Sequence, residues 1–349
     1  MSDIVIAVTN SYNDTVTMLP VEATLPTGHK AMFHNGPMVD FDGRKVKCNF
    51  DYHFDFRLKG NRFHRDLLPG RYFHFPRLKR MTQYVKLFHF NEHFAGEHVE
   101  IYIPEFYTAT QKQGEHVAIT NFSLPKSDKV VIKEQFGARG SNQVVVPSNM
   151  VTTLLKHTRG LTMAEVKAKF PDLIYSEGTN PDAIFFNKPA DLFMSELVPA
   201  VKSEWRLLVG GDKIYGRERV IKQGPYPQAN LDHDVFPTVQ TVTYEPIENM
   251  FDEKLVETLH AMVDFIKLPL GSIDLFSTQD GRYGIFEYST QFAFHGADNH
   301  FIRQLLLDGI DKVLRDNGLK TKHPIPIRND STRAGGESNV VRVPENYES

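Results

Sequence analysis

The chain has 349 residues, of which 41% are hydrophobic and 24% are charged, as in ordinary globular proteins. Its 40 basic and 43 acidic residues give a net charge of -3, so nucleic acid is not an expected partner. A single cysteine, Cys48, excludes an intrachain disulfide framework. No stretch approaches the roughly 18 apolar residues of a membrane span, and the N-terminus lacks a signal-peptide pattern. We therefore expect a cytoplasmic protein with no membrane partner.

The first part of the chain favours a small α/β domain. Residues 4–8 form a short apolar run that predicts a buried strand. The aromatic residues that follow alternate with polar ones, which is typical of half-buried strands; a platform for stacked bases is the alternative. No HExxH or CxxC motif supports a zinc site, so packing or substrate contact is the preferred role of the many histidines, which include His53, His64, His74, His89, His93 and His98.

Two strands and a helix are predicted in the middle of the chain. Residues 99–103 (VEIYI) and 129–132 (KVVI) have strand patterns. Residues 161–170 (LTMAEVKAKF) have a helical pattern, and Thr162 and Glu165 have the spacing of a capping box.

A glycine-bearing segment after the second strand carries candidate phosphate ligands. Lys133 stands at the strand end, and Gly137, Arg139, Gly140 and Ser141 follow in the loop. Glycine lets backbone N–H groups approach phosphate oxygens, and lysine adds positive charge. The segment is not a P-loop, because no GK[ST] ends it, and not a dinucleotide fingerprint, because a strand follows it. An ordinary hairpin loop is the alternative.

A hairpin with a Gly-Asp turn is predicted over residues 204–221. Its register pairs Glu204 with Arg219 and Arg206 with Arg217, and period-2 alternation places all four on one face. Facing arginines need an anion or carboxylates nearby, and phosphate oxygens meet that need. A solvated face held by salt bridges is the alternative.

A second hairpin, over residues 272–289, is the most informative segment. Its Asp280-Gly281 turn places Asp274 directly opposite Glu287. Two facing carboxylates repel each other, so a protein keeps such a pair when a cation lies between them or when one is protonated. A surface hairpin with solvated acids is the alternative.

Neutral oxygen ligands are available beside this acid pair. Alternation places Ile285, Glu287 and Ser289 on one face, so the Ser289 hydroxyl or the nearby Gln291 amide can complete an all-oxygen site. Such a site, next to phosphates, suits Mg²⁺.

Helices are predicted on both sides of this hairpin. Residues 251–266 have apolar residues at helical spacing, and residues 299–315 have the pattern of a terminal helix. From about residue 321 the chain is polar, which predicts a loose tail.

In chain order, these segments resemble the ATP-grasp superfamily of carboxylate ligases, which includes D-alanine–D-alanine ligase, glutathione synthetase and ribosomal-protein glutamate ligases. The resemblance covers about residues 80–315, and the order of the motifs is more specific than any one of them. It implies an α/β (α+β) fold, in which two α+β subdomains grip ATP after a small N-terminal α/β domain. The implied divisions are 1–95 for the N-terminal domain, 96–195 for the central subdomain, 196–320 for the C-terminal subdomain and 321–349 for the polar tail.

The resemblance also implies roles at the phosphate end of ATP. Lys133 is similar to the lysine that contacts the phosphates, and residues 137–142 are similar to the flexible lid over them. An earlier lysine is expected as well, with Lys86 as the first candidate and Lys79 as the second. Arg219 resembles the arginine that stabilises the transferring phosphoryl group, with Arg217 and Arg206 beside it.

Further implied roles concern the nucleoside and the metal. Glu196 resembles the hinge acid that meets the adenine amino group, while Leu197 and Val198 lend backbone groups. Glu204 resembles the acid that binds the ribose hydroxyls. Asp274 and Glu287 resemble the two magnesium-binding acids.

One position departs from the family pattern. The last motif of the family reads Glu-x-Asn, whereas this chain has Glu287, Tyr288 and Ser289. Either Ser289 or Gln291 then replaces the usual Asn ligand, which weakens one magnesium site and bears on catalytic competence.

The resemblance implies an ADP-forming carbon–nitrogen ligase that uses ATP and Mg²⁺. Its partners would be a small-molecule or peptide carboxylate and an amine, and the sequence leaves room for a homodimer. An ATP-grasp kinase and a nucleotide-binding module without turnover are the alternatives. A ligase yields an amide, whereas a kinase yields a stable phosphorylated product.

Overall fold

The computed structural model describes residues 4–10, 22–35, 39–42, 45–48, 51–56, 72–75, 78–111, 117–120, 126–135, 142–176, 179–198, 201–219, 221–222, 228–229, 243–290 and 299–318. Within these ranges the protein combines three larger sheets with five α-helices. The predicted mixed α+β class is confirmed.

A five-stranded sheet forms the N-terminal part of the protein. Its spatial order is β2-β3-β1-β6-β7, with parallel pairing except between β2 and β3. The predicted first strand is confirmed, because Ile4, Ile6 and Val8 are at most 2% exposed. The strands are β1 (Ile4–Asn10), β2 (Glu22–Thr24), β3 (Lys30–Asn35), β6 (Tyr52–Phe56) and β7 (Tyr72–His74), and a separate ladder joins β4 (Val39–Asp42) to β5 (Lys45–Cys48). Helix α1 (Arg80–His93) follows the sheet.

A six-stranded antiparallel sheet forms the central part, in the order β12-β11-β10-β13-β8-β9. Its strands are β8 (Phe106–Gln111), β9 (Val117–Thr120), β10 (Lys129–Glu134), β11 (Val144–Pro147), β12 (Ile174–Tyr175) and β13 (Leu192–Glu196). Helices α2 (Val151–Thr158) and α3 (Met163–Lys169) pack on its valine-rich strands. The predicted capping box is confirmed, since the Glu165 N–H donates to Thr162 Oγ1 at 3.2 Å and the Thr162 N–H donates to Glu165 Oε2 at 2.7 Å.

The predicted strand at residues 99–103 is wrong. Only an isolated bridge forms there, between Tyr102 and Gly284. The reason lies in Asn91, whose side-chain amide donates to the Ile101 carbonyl at 2.7 Å and accepts from the Ile101 N–H at 3.0 Å. These backbone groups are therefore satisfied by a side chain rather than by a neighbouring strand.

A five-stranded antiparallel sheet forms the C-terminal part, in the order β18-β15-β14-β19-β20. Helix α4 (Glu253–Ile266) covers one face and confirms the predicted helix there. The strands are β14 (Val201–Gly210), β15 (Lys213–Arg219), β18 (Glu245–Pro246), β19 (Leu270–Thr278) and β20 (Tyr283–Ser289), and a short ladder joins β16 (Ile221–Lys222) to β17 (Gln228–Ala229).

Two helices join parts of the fold that are far apart in the sequence. In α1, Tyr84 and Leu87 join the core beneath the C-terminal sheet. In the last helix, α5 (Asn299–Asp316), Ile302 and Leu306 join the core of the N-terminal sheet. The domain boundary between residues 95 and 96 therefore stays a prediction. The N-terminal sheet and the last helix share one hydrophobic core. None of the described helices has the length and apolar character needed to cross a bilayer.

Candidate active site

The hairpin of β14 and β15 has the predicted register. Glu204 is the partner of Arg219, and Arg206 is the partner of Arg217. Leu207, on the alternate face, is buried in the core, so the charged residues point to the opposite side. Arg219 Nη1 donates to Glu204 Oε1 at 2.6 Å. This face of the sheet is therefore held by ion pairs.

The hairpin of β19 and β20 pairs Asp274 with Glu287, as predicted. The next pair towards the turn is Leu275 with Ile285. Phe286 is therefore an extra residue on β20, which forms a β-bulge. The bulge breaks the alternation along β20. Ile285 is fully buried in the core, so the prediction that it shares a face with Glu287 is wrong. Ser289 lies two residues beyond Glu287 on the regular ladder and keeps the same side.

Two arginines neutralise Asp274. Arg206 Nη1 donates to Asp274 Oδ1 at 2.6 Å, and Arg219 Nη1 lies 3.7 Å from the same oxygen. Burial of the carboxyl group opposes its charge, but the two guanidinium groups outweigh burial and hold the pKa of Asp274 below its ordinary value. Asp274 is therefore ionised at neutral pH.

A third arginine, which sequence reasoning missed, neutralises Glu287. Arg80 Nη1 donates to Glu287 Oε2 at 2.8 Å, while Arg80 Nε donates to the Glu134 carbonyl at 3.1 Å. Burial disfavours the charge of Arg80, yet the Glu287 carboxylate outweighs burial and raises the Arg80 pKa. No clear signal for this contact was present in the sequence, because the helix that begins at Arg80 was not predicted and its acidic partner lies 207 positions away.

Lys133 lies at the same cluster, near the end of β10. Its side chain is buried, and its Nζ lies 5.8 Å from the centre of the Phe286 ring. Burial, together with the charge of Arg80, lowers the Lys133 pKa to about 7, although the acids of the two hairpins act in the opposite direction. The central sheet thus contributes a titratable lysine to a site built mainly on the C-terminal sheet.

The acid pair is compensated by the protein itself. Arginines from three elements contact Asp274 and Glu287, so positive charge from the protein balances the pair, and the metal assignment stays a prediction. Within the described ranges, no group of three His, Cys, Asp or Glu side chains forms a metal site. The donors that are present, two carboxylates and the Ser289 hydroxyl on one side of the hairpin, still fit Mg²⁺, which prefers oxygen and completes its shell with phosphates and waters.

The hinge from β13 to β14 differs from expectation in its backbone. The Glu196 N–H donates to the Glu105 carbonyl at 2.8 Å, and the Leu197 N–H donates to the Lys129 carbonyl at 3.0 Å. The Leu197 N–H, which was expected to be left for a ligand, is thus used within the protein. Over the ranges that the structure covers, the Val198 N–H is the hinge donor without a protein acceptor.

The carboxylate of Glu196 is held by Tyr102, whose hydroxyl donates to Glu196 Oε1. Tyr102 is itself fixed, because its N–H donates to the Tyr283 carbonyl at 2.7 Å and the Arg282 guanidinium lies 4.1 Å from its ring centre. Burial of the Tyr102 hydroxyl and the Glu196 carboxylate raise the Tyr102 pKa. The hinge acid is therefore oriented before any ligand binds.

No protein-family model matches the chain, and no curated protein sequence matches it. Solved structures do match over most of the chain. The ATP-grasp ligase PsnB, complexed with minimal precursor, Mg and ADP, has 12% identity and a TM-score of 0.46, covering 92% of this chain and 99% of its own. D-cycloserine synthetase DcsG has 11% identity and a TM-score of 0.46, with coverages of 89% and 99%. The RimK domain ATP-grasp protein from Sphaerobacter thermophilus has 15% identity and a TM-score of 0.45, also with coverages of 89% and 99%.

Two of these three structures, PsnB and the RimK domain protein, are described as ATP-grasp proteins, and the chain is similar to them in fold. At identities of 11–15% and TM-scores of 0.45–0.46, this likeness carries no argument about activity or substrates. The assignment of function therefore depends on the side chains of this protein.

The ATP-grasp resemblance led us to expect a further lysine, before the central subdomain, at the phosphates, with Lys86 preferred. The structure does not bring Lys86 to the acid cluster, because its Nζ donates to the Ile266 carbonyl at 3.3 Å, at the end of α4. Burial and the nearby Lys267 lower the Lys86 pKa. Lys79, the second candidate, is exposed and directly precedes Arg80.

Several predicted site residues lie outside the described ranges. They are Gly137, Arg139, Gly140 and Ser141 of the glycine loop, and Gln291. Their roles stay predictions, as does the choice between Ser289 and Gln291 as a metal ligand.

Proposed function

We propose that this protein is an ATP-dependent ligase that activates a small-molecule or peptide carboxylate as an acyl phosphate and joins it to an amine. The observation that carries the proposal is the convergence of a buried lysine and three arginines on two facing carboxylates. These side chains come from α1, β10 and two hairpins. Cations gathered in this way suit a polyphosphate, and the acids supply oxygen ligands for its divalent cation.

The proposed reaction has two steps. A carboxylate oxygen of the substrate attacks the γ-phosphorus of ATP, and the bond from that phosphorus to the bridging oxygen breaks, which releases ADP. The amine nitrogen then attacks the acyl carbon, the carbon–oxygen bond to the phosphate breaks, and a proton passes from the nitrogen to solvent. The products are an amide and inorganic phosphate.

The residues of this chain act mainly by neutralising and orienting charge. We assign four cations to the transferring phosphoryl group: Lys133, Arg206, Arg217 and Arg219. Cations that the protein holds in place, away from water, stabilise the charge of the transition state more strongly than solvated cations do. Asp274 and Glu287, with Ser289 or Gln291, would hold Mg²⁺, which screens phosphate charge when it is bound.

The nucleoside end is assigned to the hinge. Glu196 would accept from the adenine amino group, the backbone of Leu197 and Val198 would line the base, and Glu204 would accept from the ribose hydroxyls. Each of these two carboxylates already accepts one hydrogen bond, Glu196 from Tyr102 and Glu204 from Arg219. A carboxylate has two oxygens and about four acceptor positions, so each acid can keep its protein partner and also bind the nucleotide.

One observation favours a second candidate, a nucleotide-binding module without turnover. Arginines of the protein pair with both acids, so their charge is balanced without a metal. The Ser289 residue, which stands where the family has Asn, also favours a module without turnover, because it weakens one magnesium site. The ligase is preferred because both acids and the buried lysine are present together.

Combinatorial assays of acids and amines test the proposal. The protein is incubated with MgATP and pools of candidate acids and amines, ADP is measured, and products are identified by mass spectrometry. A ligase gives ADP only when both an acid and an amine are present, together with a product whose mass is their sum less water. ADP with a phosphorylated product indicates a kinase, and nucleotide binding without ADP indicates the non-catalytic module.

A further inference from the structure

The first turn of α1 is anchored to the central sheet. The Arg80 N–H donates to the Gln135 carbonyl at 3.2 Å, and the Met81 N–H donates to the Gln135 side-chain oxygen at 3.3 Å. Lys79, at the N-cap position, makes no capping hydrogen bond through its side chain. A residue just beyond the end of β10 therefore caps this helix, and it is only 4% exposed.

The same turn is also anchored to the C-terminal sheet. Gln83 Oε1 accepts from the Tyr288 N–H at 3.0 Å, and the Tyr84 hydroxyl donates to the Phe286 carbonyl at 3.2 Å. The Phe286 contact lies at the β-bulge of β20, and the Tyr288 contact lies two residues beyond it on this strand, which is the outermost of the described sheet. A bulge on an outer strand leaves backbone groups without ladder partners, and side chains of α1 bind them here. The bulge that turns Glu287 towards the site is thus fixed from α1.

The Arg80 side chain forms hydrogen bonds with both the central and the C-terminal sheet. Its Nε donates to the carbonyl of Glu134, the residue after Lys133, and its Nη1 donates to the Glu287 carboxylate. We propose that Arg80 is a positioning residue, which sets the distance between Lys133 on the central sheet and Glu287 on the C-terminal sheet. This inference rests on the proposed function, in which the phosphates and the metal lie between those two side chains.

The chemistry of the side chain explains why arginine is needed. A guanidinium is a rigid planar fork with five donors, so it can span two acceptors at a fixed separation. A lysine carries the same charge on a single nitrogen at the end of a flexible chain. Arg80→Lys therefore keeps the charge next to Glu287 and Lys133 but loses the fixed spacing.

Arg80→Lys is tested by calorimetric titration with two ligands, MgADP and adenosine. We expect MgADP to bind about tenfold more weakly, the lower range for loss of a group that orients a metal ligand, while adenosine affinity stays unchanged. Arg159→Lys is the matched control, because Arg159 Nε also donates to a backbone carbonyl, that of Asn187, at 2.9 Å. Unchanged MgADP affinity, or an equal loss for both ligands, would overturn the positioning role.

A second variant covers the case in which Arg80→Lys does not fold. Tyr84→Phe keeps the buried ring and removes only the hydrogen bond to the bulge, so we expect about threefold weaker MgADP binding with unchanged adenosine binding. If Arg80→Lys does not fold and Tyr84→Phe leaves the ratio of MgADP to adenosine affinity unchanged, the inference is wrong.

Failure of the proposed function would look different. Wild-type protein that binds MgADP but forms no amide would contradict the ligase, and the ligand ratio of the variants would still decide the role of Arg80. Wild-type protein that binds no MgADP would overturn both.

Discussion

Arg80 Nη1 lies 2.8 Å from Glu287 Oε2, although 207 positions separate the two residues in the sequence. The contact joins a helix that precedes the central sheet to the last strand of the C-terminal sheet. It follows that the candidate site is assembled from distant parts of the chain, and that its acids, lysine and arginines are expected to depend on one another.

The two acids should be essential for turnover. Glu287→Gln keeps the size of the side chain but removes its charge, so we expect the rate of ligation to fall by at least about 100-fold. Asp274→Asn should have an effect of similar size. Glu218→Gln, at an exposed acid on strand β15 of the same sheet, is the control and should retain the wild-type rate. Steady-state ADP release measures all three, and wild-type rates in either site variant would remove that acid from the site.

Lys133 should make nucleotide binding depend on pH. Because burial and Arg80 lower its pKa to about 7, the free protein holds a largely neutral amine above that pH. Phosphate binding favours the charged form, so binding above about pH 7 requires uptake of a proton, and affinity should fall by up to about tenfold for each further pH unit. Below about pH 7 the affinity should level off.

Calorimetry in buffers of different ionisation enthalpy measures this proton uptake directly. Lys133→Met should bind MgATP weakly and without the pH dependence, because no group of that pKa is left at the position. Equal wild-type affinity on both sides of neutral pH, with no proton uptake, would contradict the assignment of Lys133 to the phosphates.

The contacts in both hairpins show what the sequence could reveal. Alternation and turn residues were enough to pair Glu204 with Arg219, because strand register is a local property. They also predicted Asp274 opposite Glu287, but next to the turn the observed register differs by one residue, and the bulge at Phe286 restores this pair. The bulge at Phe286 was not visible, since nothing in the local pattern marks an extra residue. It offsets the one-residue difference at the turn, so the predicted Asp274–Glu287 pair is correct, but it places Ile285 on the opposite side from Glu287.

Other errors had a tertiary cause. The VEIYI segment has strand propensity, but the Asn91 side chain takes the backbone groups of Ile101. Lys86 was preferred as a phosphate ligand from its place in the sequence, yet helix packing directs it to the Ile266 carbonyl. Arg80 was missed because its partner, Glu287, belongs to another sheet. Propensity and spacing do not specify contacts of this kind.

Glu204 provides a test of the nucleoside end. Glu204→Gln should weaken ATP binding by about 1–3 kcal/mol, the range for hydrogen bonds to a charged group, if its carboxylate accepts from the ribose hydroxyls. Dideoxy-ATP, which lacks both hydroxyls, should lose much less affinity on the same substitution. An equal loss for the two nucleotides would mean that the effect runs through the Arg219 ion pair rather than through the ribose.

Gly284 should not tolerate a side chain. A Cβ at this position would lie 2.3 Å from Cζ of Phe276 and 2.6 Å from the Tyr102 carbonyl oxygen. Gly284→Ala should therefore lower the free energy of unfolding by about 1–3 kcal/mol, the usual cost of overpacking. Because Tyr102 also holds Glu196, nucleotide affinity should fall as well. Chemical denaturation and titration with ATP measure the two effects, and a variant as stable as wild type would contradict the close packing.

Transfer of an oxygen isotope tests the central claim most directly. In the proposed ligase, one carboxylate oxygen of the acid becomes the bridge of the acyl phosphate and leaves with the phosphate when the amine attacks. With a substrate carboxylate labelled with ¹⁸O, mass spectrometry should therefore find one ¹⁸O atom in each phosphate released with the amide. Unlabelled phosphate would contradict an acyl phosphate intermediate, and with it the assignment of this protein as a ligase of this type.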